Sequence, residues 1–416
     1  MKRMLTTIAA GCLFATLALA QPPRYKLTDL GPIGLPPGEP YFIANTGLVA
    51  GAAPMPDGTM HAVLWYKGHK LDIGANRLGG LNSQAFGVND RGQVVGEAQT
   101  SVPNGEDFCG FNAMGLPSSA TACRPFVWQN GMIAELPNTL GGANAVANLI
   151  NNRGAVAGLA ETNHNEPGCP VGQFSPVIWQ NGKLQSLPTY AGDPDGGAFG
   201  INDKGQSVGA SGSCAPFNPN SQLYLFESHA LLWDSDGSVH DLGNFGGTGG
   251  FAGNHGCAIN NQGQVVGHSD VTGDTTTYGF LWTAKTGMQP LYPLPGDFAS
   301  LANSINDSGE VVGSSFDANF VFRAVLWQNG KATDLNSLLP AGSPLYLQLA
   351  ASINSSGEII GFGQTSKGEI HGFLATPNND ENARESVLPF AESVTPAVPS
   401  ESSRKLLFQR LGIRAR

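Results

Sequence analysis

Glu161, His164, Asp193, Asp195, Glu227 and His229 are the side chains of this 416-residue chain best suited to do chemistry, with Glu166, His268 and Asp270 as further members of the set. Carboxylates brought together from separate segments could share acid and base roles in cleaving a glycosidic bond. Asp193 and Asp195 lie in AGDPDGGA, residues 191–198, where two carboxylates beside glycine offer oxygen ligands to calcium. The twelve-residue calcium loop pattern is absent, so an Asx-rich turn is the favoured reading and no metal or cofactor is expected, calcium being the one ion to consider. His61, His229 and His371 share a register with Arg124, Ser175, Tyr278 and Arg323, a recurring polar position that could ring a ligand or cap the loop before it. Capping is favoured. Gly-x-Ser-x-Gly, His-Glu-x-x-His, a phosphate-binding loop and paired zinc-ligand spacings do not occur, so no catalytic residue is assigned.

Whether such residues meet depends on the scaffold, and the scaffold is repetitive. GVNDRGQVVGEA returns as LINNRGAVAGLA, GINDKGQSVGAS, AINNQGQVVGHS, SINDSGEVVGSS and SINSSGEIIGFG. Aligned on the turn glycine, the copies fall at Gly47, Gly92, Gly154, Gly205, Gly263, Gly309 and Gly357. A second element follows, as in HAVLWYKGHKLD and RAVLWQNGKATDL, and Trp65, Trp128, Trp179, Trp233, Trp282 and Trp327 all occupy one position in it. Each repeat therefore reads as four short strands, a to d. Asn or Asp and Gly form the a–b turn, and QNG or its equivalent forms the c–d turn.

Four strands in about 40–50 residues is the signature of a β-propeller blade. The last repeat supplies a, b and c but no d, while YKLTDLG at 25–31 is a d-type strand with nothing before it. The two complete one blade, so the expected fold is all-β, a seven-bladed β-propeller with four strands per blade closed three-plus-one. Ala85, Ala147, Ala198, Ala302 and Ala350 precede the turn asparagine by four residues and are expected to relieve crowding at the axis. Ala375 stands where the other blades carry Trp, so the closing blade is expected to pack less well.

The words IN-x-x-G-x-V-V-G, LW-x-x-G and DLG-x-x-GG, running from Tyr25 to about Thr376, resemble the extracellular repeat family called HAF, after a His-Ala-Phe tripeptide before the Trp. No copy here has that tripeptide in full; His61-Ala62-Val63, His229-Ala230-Leu231 and His371-Gly372-Phe373 come nearest. The resemblance implies export and a propeller, and it carries no activity.

The ends agree with export. Residues 1–20 read as a signal peptide: Lys2 and Arg3, an apolar stretch, then Ala18-Leu19-Ala20. Residues 21–376 form the propeller and carry 14 basic against 27 acidic side chains, which argues against nucleic acid as a partner. Residues 377–416 read as a Pro-, Ser- and Glu-rich linker followed by a basic amphipathic stretch, the one part expected to touch a membrane. Five cysteines remain after signal removal, an odd number, with Cys109 and Cys123 the expected disulfide.

Three b–c connections are long, Glu97 to Cys123, Glu161 to Phe174 and Ser211 to Glu227, and all five cysteines are assigned to their side of the ring. Variable loops on a rigid frame are where binding residues collect. The expected protein is a secreted, extracellular or periplasmic, non-catalytic scaffold that binds extracellular carbohydrate or protein through the long-loop face. The alternatives are a secreted polysaccharide hydrolase or lyase and a structural surface protein anchored by the basic tail.

Overall fold

The computed structural model describes residues 24–378, apart from 34–39, 106–107, 112–115, 118–119, 139, 166, 168, 170–171 and 215–227. Residues 1–20, expected to be a signal peptide, nearly all of the tail and the sequence candidates Glu166 and Glu227 lie outside the described residues.

Seven four-stranded antiparallel sheets are formed, six from consecutive strands. Blade 2 shows the pattern: a is Gly79–Val88, b Val94–Pro103, c Thr121–Gln129 and d Met132–Glu135. In blade 7, a is Leu345–Ile353, b Ile359–Thr365 and c Ile370–Pro377, and the fourth strand is Tyr25–Pro32 from the other end of the chain. Tyr25 pairs with Pro377 and Thr28 with Leu374. The ring closes as expected, with Tyr25–Pro32 covering the outer edge of Ile370–Pro377.

The a–b turns are built by asparagine. Asn89 Oδ1 accepts the Arg91 and Gln93 amides at 3.1 and 3.0 Å, while Gly92, at φ 71°, returns its amide to the Asn89 carbonyl at 3.0 Å. Every strand a then carries a bulge three residues before the turn, for example between Ala147 and Leu149 in blade 3. The bulge explains the glycine of Val-Val-Gly: a Cβ on Gly158 would lie 2.0 Å from the Val146 carbonyl oxygen, and one on Gly313 2.0 Å from that of Leu301.

Two expectations are corrected. The recurrent alanines do not line the axis. Ala147 and Ala302 are fully buried in apolar clusters with side chains of the neighbouring blade, Val95 and Val266 respectively, so the crowding they relieve is between sheets. Nor is the closing blade poorly packed. Ala375 is buried in a cluster with Tyr25, Phe373, and Leu335 and Leu338 of the short 3-10 helix Leu335–Leu338. The other blades keep the expected Trp packing, and Trp179, Trp233 and Trp327 also donate to the carbonyls of Pro137, Pro188 and Tyr292 in the connection leading into their own blade.

Candidate functional site: joined loops over three blades

The long connections of blades 2, 3 and 4 are fastened to one another. Cys109 and Cys123 form the expected disulfide within blade 2, and Cys169 of the blade 3 connection is bonded to Cys214 of the blade 4 connection. Phe108, beside Cys109, stacks on Phe174 of blade 3 at 4.6 Å between ring centroids with planes 15° apart. Phe111 and the Cys109–Cys123 pair are buried with Met60 and Ala52 of blade 1. One aromatic stack and one disulfide thus tie three consecutive connections together, and the Cys109–Cys123 bond closes the first of them. Two disulfides are characteristic of an oxidising compartment.

The loops are shorter than their sequence bounds. Glu97 lies inside strand b of blade 2, and Glu161 inside strand b of blade 3, Val156–Asn165. Glu161 is 7% exposed, and its carboxylate accepts the amides of Ala143 and Asn144 at 2.8 and 2.7 Å. Asp270 does the same in blade 5, taking the amides of Phe251, Ala252 and Gly253 at 2.7, 3.0 and 3.3 Å. Burial pushes the Asp270 carboxyl up despite those three donors. The glycine pairs of the d–a connections pack on these acids: a Cβ on Gly142 would come 2.5 Å from Glu161, and one on Gly247 2.5 Å from Asp270. Asp195 is buried and accepts the Phe174 amide at 2.7 Å, joining blade 4 to blade 3. Carboxylates engaged in this way hold backbone, and their negative charge is balanced by amide dipoles.

Of the sequence candidates, the structure brings Asp193 and His229 into contact. Asp193 Oδ2 meets His229 Nδ1 at 2.8 Å and accepts from Ser211 Oγ at 2.6 Å, and the Tyr190 ring stacks on His229 at 3.9 Å. Ser211 contacts the aspartate rather than the imidazole, so the group is not a serine-activating triad. The same arrangement recurs on blade 6, where Asp297 accepts from Ser315 and pairs with Arg323, and the Leu294 amide meets Ser315 as the Tyr190 amide meets Ser211. His164 is exposed near the end of its strand.

In the polar register shared by His61, His229 and His371, His61 Nε2 meets Thr59 Oγ1 of its b–c turn at 3.2 Å, as the capping reading expects, and pairs with acids are added. His61 pairs with Asp72 at 2.7 Å, His371 with Asp29 at 2.9 Å and Arg124 with Glu135 at 3.7 Å, each acid lying on strand d of the same blade. These contacts stitch strand c to its outer neighbour, where exposed pairs are worth about 0–1 kcal/mol each.

Residues that sequence reasoning treated only as turn formers do more at the opposite end of the ring. Asn89 Nδ2 donates to the Asn151 carbonyl of the next blade at 2.9 Å, Asn151 to Asn202 at 2.8 Å, Asn202 to Asn260 at 3.0 Å and Asn260 to Asn306 at 3.0 Å. Asn306 and Asn354 continue the series, ending on the Ala44 carbonyl at 3.1 Å. A second circle lies beside it: Asn152 Nδ2 bridges Asp90 and Asp203 at 2.9 and 3.2 Å, and Asn261 Nδ2 reaches Asp307 at 3.0 Å. These residues line an axial cavity of about 120 Å³ at the short-turn end. The alternation of Asn and Asp from one repeat to the next was the signal in the sequence.

No family model matches the chain, and no curated protein matches it. Among solved structures, it is similar to the β-propeller domain of the trilobed protease from Pyrococcus furiosus, at 9% identity and TM-score 0.48, over 88% of this chain and 99% of that one. TolB from Acinetobacter baumannii matches at 13% identity and TM-score 0.40, over 80% and 64% of the two chains. Aleuria aurantia lectin in complex with Fucalpha1-6GlcNAc matches at 7% identity and TM-score 0.35, over 83% and 93%. At such distances the neighbours carry no argument about ligand or activity, and the chain is described by its architecture: a seven-bladed β-propeller closed by its N-terminal strand.

Proposed function

We propose that the protein is an exported, non-catalytic scaffold that binds an extracellular carbohydrate or protein on the joined loops of blades 2, 3 and 4. The observation that carries this reading is the Cys109–Cys123, Phe108–Phe174, Cys169–Cys214 series, which fastens three connections into one surface. Holding loops before the ligand arrives reduces the ordering cost of association, and a binding surface gains more from this than a spacer does. Export is supported by the disulfides, by the signal-like residues 1–20 and by the resemblance to HAF repeats. The hydrolase alternative needs carboxylates directed at a substrate. Among the described residues Glu161, Asp195 and Asp270 are buried against backbone amides, and the Asp193 group has a counterpart at Asp297 that a single active site does not require.

The test is a screen of residues 21–376 against a glycan array, soluble polysaccharides and a panel of secreted proteins. Replacement of residues 104–120 by a short turn should weaken binding of any hit at least tenfold while leaving the melting transition cooperative. Unchanged affinity would remove the loop surface from the site. Turnover of a bound polysaccharide that is lost in Asp193→Asn would establish the hydrolase instead.

A further inference from the structure

Blade 5 departs from the repeat at three positions together. His255 opens strand a, His255–Ile259, and Cys257 is its bulge residue, between Gly256 and Ala258 in the pairing. His268, on strand b, is the direct cross-strand partner of His255. The equivalent residues are Val146, Asn148 and Leu159 in blade 3, and Leu301, Asn303 and Ser314 in blade 6. Three residues able to ligate a metal thus replace apolar, amide or hydroxyl side chains on one inner hairpin. Cross-strand partners project from the same face of a sheet, and a bulge re-aims its extra side chain.

The geometry is that of a ligand set. One nitrogen from each histidine and the Cys257 sulfur all lie within 4.8 Å of one another, and Cys257 Sγ is 4.0 Å from His268 Nδ1. His268 is 4% exposed, and its Nε2 lies 3.1 Å from the Ala252 carbonyl. A carbonyl can only accept, so Nε2 carries the proton and the Nδ1 lone pair faces the thiol. An outer hydrogen bond that fixes the tautomer of a ligating imidazole is a recurrent part of metal sites. The His255 ring lies 3.9 Å from that of His268, centroid to centroid, and Phe199 of blade 4 packs edge-on against it at 5.5 Å. Cys257 is the one free thiol among the five mature cysteines and is only partly exposed. The other cysteine-containing cluster, Glu97 with Cys109 and Cys123, offers no thiolate because its sulfurs are bonded to each other.

We propose that His255, Cys257 and His268 form a binding site for a zinc-class transition-metal ion, with two nitrogen ligands and one thiolate. Donors around tetrahedral zinc stand roughly 3.3–3.7 Å apart, given metal–nitrogen bonds of about 2.0–2.1 Å and metal–sulfur bonds of about 2.3 Å. The 4.0 Å sulfur–nitrogen separation closes to that value by a small rotation of Cys257. On binding, the metal–sulfur bond forms as the thiol proton leaves to solvent, while His268 offers the Nδ1 lone pair of the tautomer that the Ala252 carbonyl fixes at Nε2. Three protein donors leave a fourth position for water. The soft thiolate selects zinc over calcium or magnesium. Coordination would also shield a lone thiol in an oxidising compartment.

The test uses the mature chain purified without reductant, stripped with chelator and desalted. Cobalt(II) should bind one per chain, with thiolate charge-transfer absorption and the intense visible bands of a tetrahedral site, and zinc should displace it. Cys257→Ser should abolish the charge-transfer band and weaken zinc binding about 10–100-fold, with the melting curve unchanged. In the unaltered chain, zinc should slow alkylation of Cys257 at least tenfold, and this readout stands even if a variant fails to fold. Equal alkylation rates with and without zinc, weak octahedral cobalt spectra, or undiminished zinc affinity in Cys257→Ser would each overturn the site.

Discussion

Asn151 at one end of the ring and Asp193 at the other both spend their side chains on hydrogen bonds, but in different company. Asn151 accepts from Arg153 and Ala155 within its turn and donates to Asn202 of the next blade, and Asn89, Asn202, Asn260 and Asn306 make the same set of bonds. Asp193 joins His229 and Ser211 in an arrangement found again at Asp297, and of the two disulfides at this end one closes the blade 2 connection while the other links those of blades 3 and 4. The short-turn end is a surface on which each repeat completes its neighbour, so one residue type suffices. The long-loop end also joins neighbouring blades, but with varied residues: Asn82, Asn144, Asp195 and Ser300 accept the amides of Met60, Cys123, Phe174 and Gly279 from the preceding blade. A repeat protein can vary where several residue types can make the same inter-blade contact, and that is where a binding surface can evolve without opening the ring.

The largest effect should come from the one strand that both ends depend on. Deleting residues 21–32 removes the partner of Ile370–Pro377 and exposes an edge. We expect loss of the cooperative melt and soluble aggregates by size-exclusion chromatography, and a monomeric variant with an unchanged melt would refute closure. Next, Gly158→Val should cost about 3 kcal/mol or more in denaturant unfolding, because its Cβ meets the Val146 carbonyl oxygen at 2.0 Å. Asn151→Ala should cost about 2 kcal/mol, since it strands two turn amides and breaks the link to Asn202. Asp193→Ala, at the long-loop end, should cost visibly less. A reversal of that order would undo the comparison.

The closing strand has a pH signature. Burial, with the Glu310 charge second, pushes the Tyr25 hydroxyl from 10.0 up to about 12. An acid raised in the folded state contributes stability below its unfolded pKa and loses it as pH climbs through the folded one. Unfolding should therefore become easier between pH 10 and about 12, and Tyr25→Phe should remove about 2 kcal/mol of that alkaline loss when compared with the parent chain. The smallest effect is a gain. Blade 1 carries Ala44 where six blades carry asparagine, so Ala44→Asn should complete the circle onto the Asn89 carbonyl and add about 0.5–1 kcal/mol. No increase in melting temperature would mean that the circle is not a shared stabilising element.

The repeats, the blade count, the three-plus-one closure and the Cys109–Cys123 pair were all legible in the amino-acid sequence, because each rests on local rules: turn chemistry, strand alternation, and two cysteines close along the chain. The roles of particular polar residues were decided by the tertiary structure. Glu161 and Asp195 read as exposed carboxylates because a loop boundary cannot be separated from a strand end by composition, and only the register against Phe174 and Gly212 places them inside. Asn151 reads as a turn former because its second partner is a carbonyl 51 residues away in sequence. His255, Cys257 and His268 are spread over two strands, and only the bulge in strand a and the pairing of its first residue across the hairpin bring their donor atoms together. A repeat specifies its own backbone through neighbours in sequence, whereas the contacts between blades, and the one blade that differs, exist only once the ring has closed.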